Sequence, residues 1–259
     1  MTTPEISTSI RKTGRRIVNR ILRPFGVQIY REVLVERSRR ATYAGGLAML
    51  KKAGFDPKTV IDVGVASGTM ELYEAFPTAR HVLIDPLEEA RPFLEEIKRK
   101  FAHVEYILAA AGDAPGTLEL NVHPDIARSS AYWESDYDPA VVEKRRVPAV
   151  TIDQIRREKN LEGPILLKVD VQGGELKVLE GAAETLNDVE CIVLETSLYE
   201  FFKGGPLVSG VVDYMQRIGF AVQDVWSLQY RNDGTLLMID FAFVRTNGMF
   251  RTVHRFRGE

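Results

Sequence analysis

The chain has 259 residues, 45% of them hydrophobic and 27% charged, which is enough apolar material for the core of a globular protein. A formal net charge of −2 excludes a uniformly basic nucleic-acid binder. The single cysteine, Cys191, excludes an internal disulfide framework and favours a reducing, cytoplasmic setting. No apolar run reaches the roughly 18 residues of a membrane span, so we expect no transmembrane helix.

The front of the chain is basic, because residues 1–40 hold ten Lys or Arg against three acidic residues. Residues 5–23 place isoleucines at helical spacing among arginines, which predicts an amphipathic helix ending at Pro24. This helix would pack on the rest of the protein or on a second subunit, or rest on an anionic inner membrane surface. We therefore divide the chain into a basic helical extension, 1–54, and a larger domain, 55–259, and leave a homo-oligomer open.

Short apolar strands alternate with helical patterns after residue 54. Strands are predicted over 59–64, 81–85, 104–110, 117–123, 165–171 and 191–196, and helices over 70–76, 87–101, about 174–186 and 207–220. This alternation favours a parallel sheet with helices on both faces. The turn "RNDGT" near the end of the chain joins two further strands in a terminal β-hairpin. Ligands of such sheets bind beyond the carboxyl ends of the strands.

The first predicted strand runs into a turn of small residues, "VIDVGVASG", which holds Asp62, Gly64, Ala66 and Gly68. Such residues let a backbone curl tightly and approach a ligand closely. Asp85 ends the second strand, where a carboxylate can accept both hydroxyls of a ribose. A small-residue turn followed by an acid at the next strand end predicts a cofactor of the adenosine type. The dinucleotide fingerprint requires a third glycine where Thr69 stands, which favours S-adenosylmethionine over NAD.

The sequence resembles the FkbM family of S-adenosylmethionine-dependent methyltransferases. The resemblance covers roughly residues 59–245 and is carried by "VIDVGVASG", "HVLIDP", "AAAGDAPGTLEL", "VPAVTIDQI", "LLKVDVQGGELKVLEGA" and "CIVLET". It implies a class I, Rossmann-like fold with a seven-stranded sheet, and O-methylation of a hydroxyl on a sugar, glycan or secondary metabolite. It also implies that Ala111 to Asp113 border the adenine.

Asp170 ends the strand that, in this fold, lies opposite the bound sulfonium, and the glycines at 173 and 174 keep that space free of side chains. An alcohol is a poor nucleophile at neutral pH, so Asp170 is a candidate general base, or a group that holds the acceptor. Glu195, at the end of the next strand, is predicted to face the same cleft. His123, at the end of 117–123, is an alternative base on an expected acceptor-side loop.

Three questions stay open at this point. Asp170 and Glu195 have the oxygen chemistry to bind a divalent metal such as Mg²⁺, but no compact acidic cluster follows them. A nicotinamide-dependent reductase is the alternative enzyme class. A non-catalytic module that binds S-adenosylmethionine is the alternative outside catalysis. The expected partner is a small-molecule or glycan acceptor, with no nucleic acid.

Overall fold

The computed structural model describes residues 41–253, so the helix predicted over 5–23 lies outside the described residues. The α-helices in this range are α1 (Tyr43–Lys52), α2 (Met70–Ala75), α3 (Arg91–Lys100), α4 (Ile152–Lys159), α5 (Glu175–Glu180) and α6 (Val208–Arg217). The strands are β1 (Thr59–Val63), β2 (Arg80–Asp85), β3 (Val104–Leu108), β4 (Ala110–Ala111), β5 (Gly116–Val122), β6 (Glu143–Val150), β7 (Ile165–Val169), β8 (Val189–Ser197), β9 (Phe220–Tyr230) and β10 (Leu236–Arg245). None of these helices combines the length and hydropathy that a membrane span needs.

Seven of the described strands form one twisted sheet in the order β3-β2-β1-β7-β8-β10-β9. The first five are parallel, and β10 pairs antiparallel with both β8 and β9. The predicted parallel sheet and terminal hairpin are therefore confirmed. The strand order reverses between β1 and β7, which is where such sheets bind their ligands.

Helices cover both faces of this sheet, so both faces are buried. Successive side chains of a strand point to opposite faces and enter the two layers in turn. Val60 and Leu166 pack on one face with residues from α1 to α3, whereas Ile61 and Leu167 pack on the other with residues from α4 to α6. This double burial accounts for the nearly continuous apolar runs from which the strands were predicted.

Helix α1 belongs to the same compact unit as the sheet, and this unit begins at Ala41. Leu47 and Leu50 are buried in the core, and a side chain at Gly46 would overlap the Trp226 ring of β9. The unit therefore starts about one helix earlier than the boundary at residue 54 drawn from the sequence.

A second, three-stranded sheet has the order β4-β6-β5. The strand predicted over 117–123 is its β5, which pairs antiparallel with β6. We did not predict β6, because "EKRRVPAV" combines a charged run with a proline and shows no clean alternation. The strand predicted over 104–110 is divided into β3 in the large sheet and β4 in the small one.

Two predicted helices differ in extent from those observed. Helix α3 begins only at Arg91, with Pro92 in its first turn, and a 3₁₀ turn precedes it. A proline is tolerated there because the first helical amides lack intrahelical acceptors. Helix α5 ends at Glu180, where a side chain on Gly181 would lie 2.0 Å from the carbonyl oxygen of Gly112. The chain at Gly181 thus packs directly on the turn after β4.

Candidate active site

A cavity of about 910 Å³ opens at the carboxyl ends of β1, β2, β7 and β8. This volume lies within the usual range for a binding site for a small molecule or cofactor. The turn after β1, the end of β2 and strand β4 line one part of it. The ends of β7 and β8 and the β9–β10 hairpin line another part. The cavity is therefore where the strand-end rule predicts the ligand.

The turn after β1 has an alternating backbone conformation, with positive φ at Gly64 (77°), Ala66 (47°) and Gly68 (95°). A side chain on Gly64 would lie 1.7 Å from the carbonyl oxygen of Asp170, and the Asp170 amide donates to the Val63 carbonyl at 3.0 Å. The absence of a side chain at residue 64 therefore lets the β1 turn touch the backbone at the end of β7.

Asp85 lies at the end of β2, is almost fully buried and lines the cavity. Its Oδ2 accepts the Ala66 amide at 2.8 Å, and its Oδ1 accepts the Leu87 amide at 3.0 Å. Burial raises the pKa of Asp85 above its ordinary value, and these two hydrogen bonds oppose that rise. Each oxygen keeps a lone pair, so the carboxyl can still accept hydroxyl donors from a ligand.

Asp170 and Glu195 both line this cavity, at the ends of the neighbouring strands β7 and β8. The Gln172 side-chain amide joins them, because Nε2 donates to Asp170 Oδ1 at 2.8 Å and to Glu195 Oε2 at 2.7 Å. Gln229 Nε2, from β9, donates to Glu195 Oε1 at 2.6 Å. Burial and the nearby Asp170 and Asp240 carboxylates raise the pKa of Glu195 well above its usual range.

Lys168 supplies a buried positive charge directly behind this pair. Its Nζ lies 3.2 Å from Asp62 Oδ1 and 3.5 Å from Asp170 Oδ2. Burial alone would lower the pKa of Lys168, but the two carboxylates outweigh burial and raise it above its usual value. Asp62 also accepts the Tyr73 hydroxyl at 2.5 Å and is fully buried. Asp62 is therefore an anchor for Lys168 behind the cavity, not the cofactor-facing residue that we predicted.

The connection between β5 and β6, residues 123–142, covers one side of the cavity, which residues 126–131 and 134–136 line. The Ser130 hydroxyl donates to the Gln172 carbonyl at 2.6 Å, and the backbone of Glu134 forms an isolated antiparallel β-bridge with Phe202 in the loop after β8. Arg128 and Glu134 form an ion pair in which the guanidinium donates to both carboxylate oxygens, with Nε 3.0 Å from Oε2 and Nη2 facing Oε1. The β5–β6 connection is thus joined to the loops that follow β7 and β8.

The family model for the methyltransferase FkbM domain matches residues 62–222, well over half of the 259 residues. The chain belongs to the FkbM family of S-adenosylmethionine-dependent methyltransferases. The family assignment predicted from the sequence is confirmed, and the reductase alternative is set aside. The seven-stranded sheet with its terminal hairpin is the class I methyltransferase architecture.

Solved methyltransferase structures are similar to this FkbM chain at low identity. Magnesium protoporphyrin IX methyltransferase from Synechocystis PCC 6803 is 12% identical, over 95% of this chain and 99% of that one, with a TM-score of 0.44. The N-methyltransferase NodS from Bradyrhizobium japonicum WM9 is 9% identical, over 78% and 85%, with a TM-score of 0.44. Among curated proteins, no relative matches this chain. These similarities carry no argument about the acceptor.

The cavity residues of the methyltransferase fit S-adenosylmethionine, whose sulfonium centre is positively charged. Six acidic side chains line the cavity against three basic ones: Asp85, Glu134, Asp136, Asp170, Glu195 and Glu200 against Arg128, Lys168 and Arg231. A cationic ligand is favoured in such a field. Gly64, Ala66, Gly68, Asp85 and Ala111 line the cavity, as expected for the cofactor end.

Two other predicted site residues lie away from the cavity wall. Asp113 is exposed at the turn before β5 and pairs with Lys177 at 3.0 Å. His123 stacks on the Tyr137 ring at 5.7 Å, and its Nδ1 accepts the Asp125 amide at 2.9 Å. Asp113 and His123 are therefore not among the cavity-lining residues, and the contacts of His123 are with residues of the β5–β6 connection. Both predictions placed the residue at a strand end correctly, but these ends belong to the small sheet.

Sequence analysis missed three polar residues of the site: Lys168, Gln172 and Gln229. Lys168 carries a recognisable signal, because a lysine inside "ILLKV" must be buried and needs a nearby acid. The two glutamines carry no such signal in the sequence. Within residues 41–253, no group of three or more His, Cys, Asp or Glu side chains is arranged to hold a metal ion.

Proposed function

We propose that this methyltransferase acts on oxygen, transferring the methyl group of S-adenosylmethionine to a hydroxyl of a sugar, glycan or secondary metabolite. The observation that supports this proposal is the Asp170–Glu195 pair, which lines the same cavity as Asp85 and the β1 turn. When bound, S-adenosylmethionine supplies an activated methyl group. The chain itself then has to hold the acceptor hydroxyl and take up its proton.

Asp170 is the candidate base because its side chain is 26% exposed, whereas Glu195 is nearly buried. The Lys168 ammonium, 3.5 Å from Oδ2, gives this carboxylate a fixed ionic partner. Glu195 is suited to a different role, because both of its oxygens already accept side-chain amide donors, from Gln172 and Gln229.

The acceptor end of the cavity favours a ligand with an extended polar and apolar surface. Tyr199 and Phe201, from the loop after β8, line it, and the Arg231 guanidinium lies 5.7 Å from the Tyr199 ring centre. An aromatic face can pack on the carbon side of a sugar ring while Gln229 and Asp170 meet hydroxyls. Tyr132 and Trp133, in the β5–β6 connection, are not among the cavity-lining residues.

The test uses labelled methyl transfer. Purified protein, methyl-labelled S-adenosylmethionine and a small-molecule and glycan extract of the source organism are incubated, and products gaining one methyl group are identified by mass spectrometry. Asp170→Asn should reduce transfer by about 10²–10⁴-fold, the usual contribution of a general base. Its affinity for S-adenosylhomocysteine, measured by calorimetry, should change little. Methylation found on nitrogen or carbon would contradict the proposal, as would a loss of less than tenfold in this variant.

A further inference from the structure

Each of the four carboxylate oxygens of Asp170 and Glu195 faces a nitrogen donor of the protein. Asp170 Oδ1 and Glu195 Oε2 accept from Gln172 Nε2, at 2.8 and 2.7 Å. Asp170 Oδ2 faces Lys168 Nζ at 3.5 Å, and Glu195 Oε1 accepts from Gln229 Nε2 at 2.6 Å. The Gln172 amide nitrogen thus stands between two carboxylates, where a bridging divalent cation would otherwise bind.

The orientation of the Gln172 amide follows from its surroundings. A side-chain amide offers either a donor NH₂ or an acceptor oxygen, and two carboxylates can be bridged only by the NH₂. This group has two hydrogens, which matches the two short contacts to Asp170 and Glu195. The amide therefore satisfies both acids at once and leaves the oxygen Oε1 turned away from them.

The backbone also fixes Gln172 in this position. Its φ of 57° is left-handed, and its carbonyl accepts the Ser130 hydroxyl at 2.6 Å. On either side, the amides of Val171 and Gly173 both donate to the buried Glu175 Oε1 at 3.1 Å. The loop around Gln172 is thus held by Glu175 and by Ser130, which fixes the side-chain amide between Asp170 and Glu195.

We propose that Gln172 is a positioning residue that takes the place of a divalent cation between Asp170 and Glu195, so that methyl transfer by this chain does not depend on a metal. The roles of the two acids rest on the proposed function. Lys168 strengthens the argument, because its ammonium adjoins Asp170 and repels a second cation. Gln172 aligns the two carboxyls, and Lys168 supplies the positive charge that a metal would bring.

The experiment asks whether the amide keeps a cation out. Mn²⁺ serves as a spectroscopic stand-in for Mg²⁺, and its binding to the full-length protein without cofactor is followed by electron paramagnetic resonance. Gln172→Glu keeps the shape of the side chain but places a third carboxylate between Asp170 and Glu195. We expect this variant to bind one Mn²⁺ at least tenfold more tightly than the wild type. Gln216→Glu makes the same exchange on the exposed side of α6 and should match the wild type.

Two results would overturn the proposal. One is Gln172→Glu binding Mn²⁺ no better than the wild type while still folded, as judged by circular dichroism and binding of S-adenosylhomocysteine. The other, which needs no stable variant, is wild-type protein binding one Mn²⁺ that Asp170→Asn removes. The rate of methyl transfer by the wild type should also stay within twofold of its untreated value, both after EDTA treatment and after Mg²⁺ is added back. The Mn²⁺ measurements involve no methyl acceptor, so they separate a failure of this inference from a failure of the proposed O-methylation.

Discussion

Replacing Lys168 by methionine should destabilise the protein, because it leaves Asp62 buried without a cation. The two residues are direct partners in the register of β1 and β7, and the Lys168 side chain is only 5% exposed. Methionine has nearly the same length and fills the same space, so loss of packing contributes little. The change therefore isolates the charge.

The size of the effect follows from the burial of both partners. Removing one member of a buried ion pair costs about 3–5 kcal/mol, because the remaining charge is uncompensated. Asp62 keeps the Tyr73 hydroxyl as a hydrogen-bond donor, which places our expectation at the lower end, about 3 kcal/mol. The surface pair Lys177–Asp113 is about half exposed and screened by solvent, so Lys177→Met should leave the free energy of unfolding close to that of the wild type.

Urea unfolding of Lys168→Met, Asp62→Asn and the double variant measures the coupling between the two residues. We expect the double variant to lose about 2–3 kcal/mol less than the sum of the single losses, since neither charge is then left alone. Additivity within about 0.5 kcal/mol would refute the ion pair as the reason for burying Lys168. Asp62→Asn should also bind S-adenosylhomocysteine with wild-type affinity, because Asp62 stands behind the cavity wall.

Three further predictions address the cofactor end, pH and the N-terminus. Asp85→Ala should weaken calorimetric binding of S-adenosylhomocysteine by about 1–3 kcal/mol, the scale for leaving buried polar partners unpaired; unchanged affinity would remove Asp85 from the site. Burial raises the pKa of Glu175 from 4.5 to about 7, so the folded protein keeps this proton at pH values where the unfolded chain has lost it. The contribution of Glu175 to folding stability is therefore complete below about pH 4.5 and is lost as the pH rises through about 7. Glu175→Gln should therefore gain stability relative to the wild type over that window, and parallel pH profiles in urea unfolding would contradict this. We propose that the basic residues 5–23 rest on anionic membranes, where each cation adds about 1 kcal/mol of binding near the surface. The full chain should then sediment with anionic liposomes at low salt, whereas a variant lacking residues 1–30 should not. Equal recovery of both proteins in the supernatant would reject the proposal.

The strand ends could be predicted from the sequence because their signals are local. Asp85 and Asp170 each follow a short apolar run, and the rule that ligands bind at carboxyl strand ends is general for parallel sheets. His123 and Asp113, whose expected roles came from the family resemblance, follow β5 and β4, and these strands belong to the small sheet. Local patterns do not show which sheet a strand joins.

The polar contacts around the acids depend on positions far apart in the chain. Asp62 and Lys168 are 106 positions apart, and only the parallel register of β1 and β7 makes them partners. Gln229 on β9 reaches Glu195 on β8 across the intervening strand β10, in a strand order that the hairpin signal alone does not fix. Such contacts follow from sheet order and register, which single-sequence patterns leave undetermined.

The β5–β6 connection has a consequence for how this enzyme can diversify. Both of its ends are anchored in the small sheet, and it lines the cavity without contributing a strand to the large one. Its length and side chains can therefore change while the cofactor turn, the Lys168 ion pair and the packed core keep their geometry. Exchange of residues 123–142 between members of one family would then change one wall of the cavity, and the Gln172 loop would keep its support only where the new segment retains a hydroxyl in the place of Ser130.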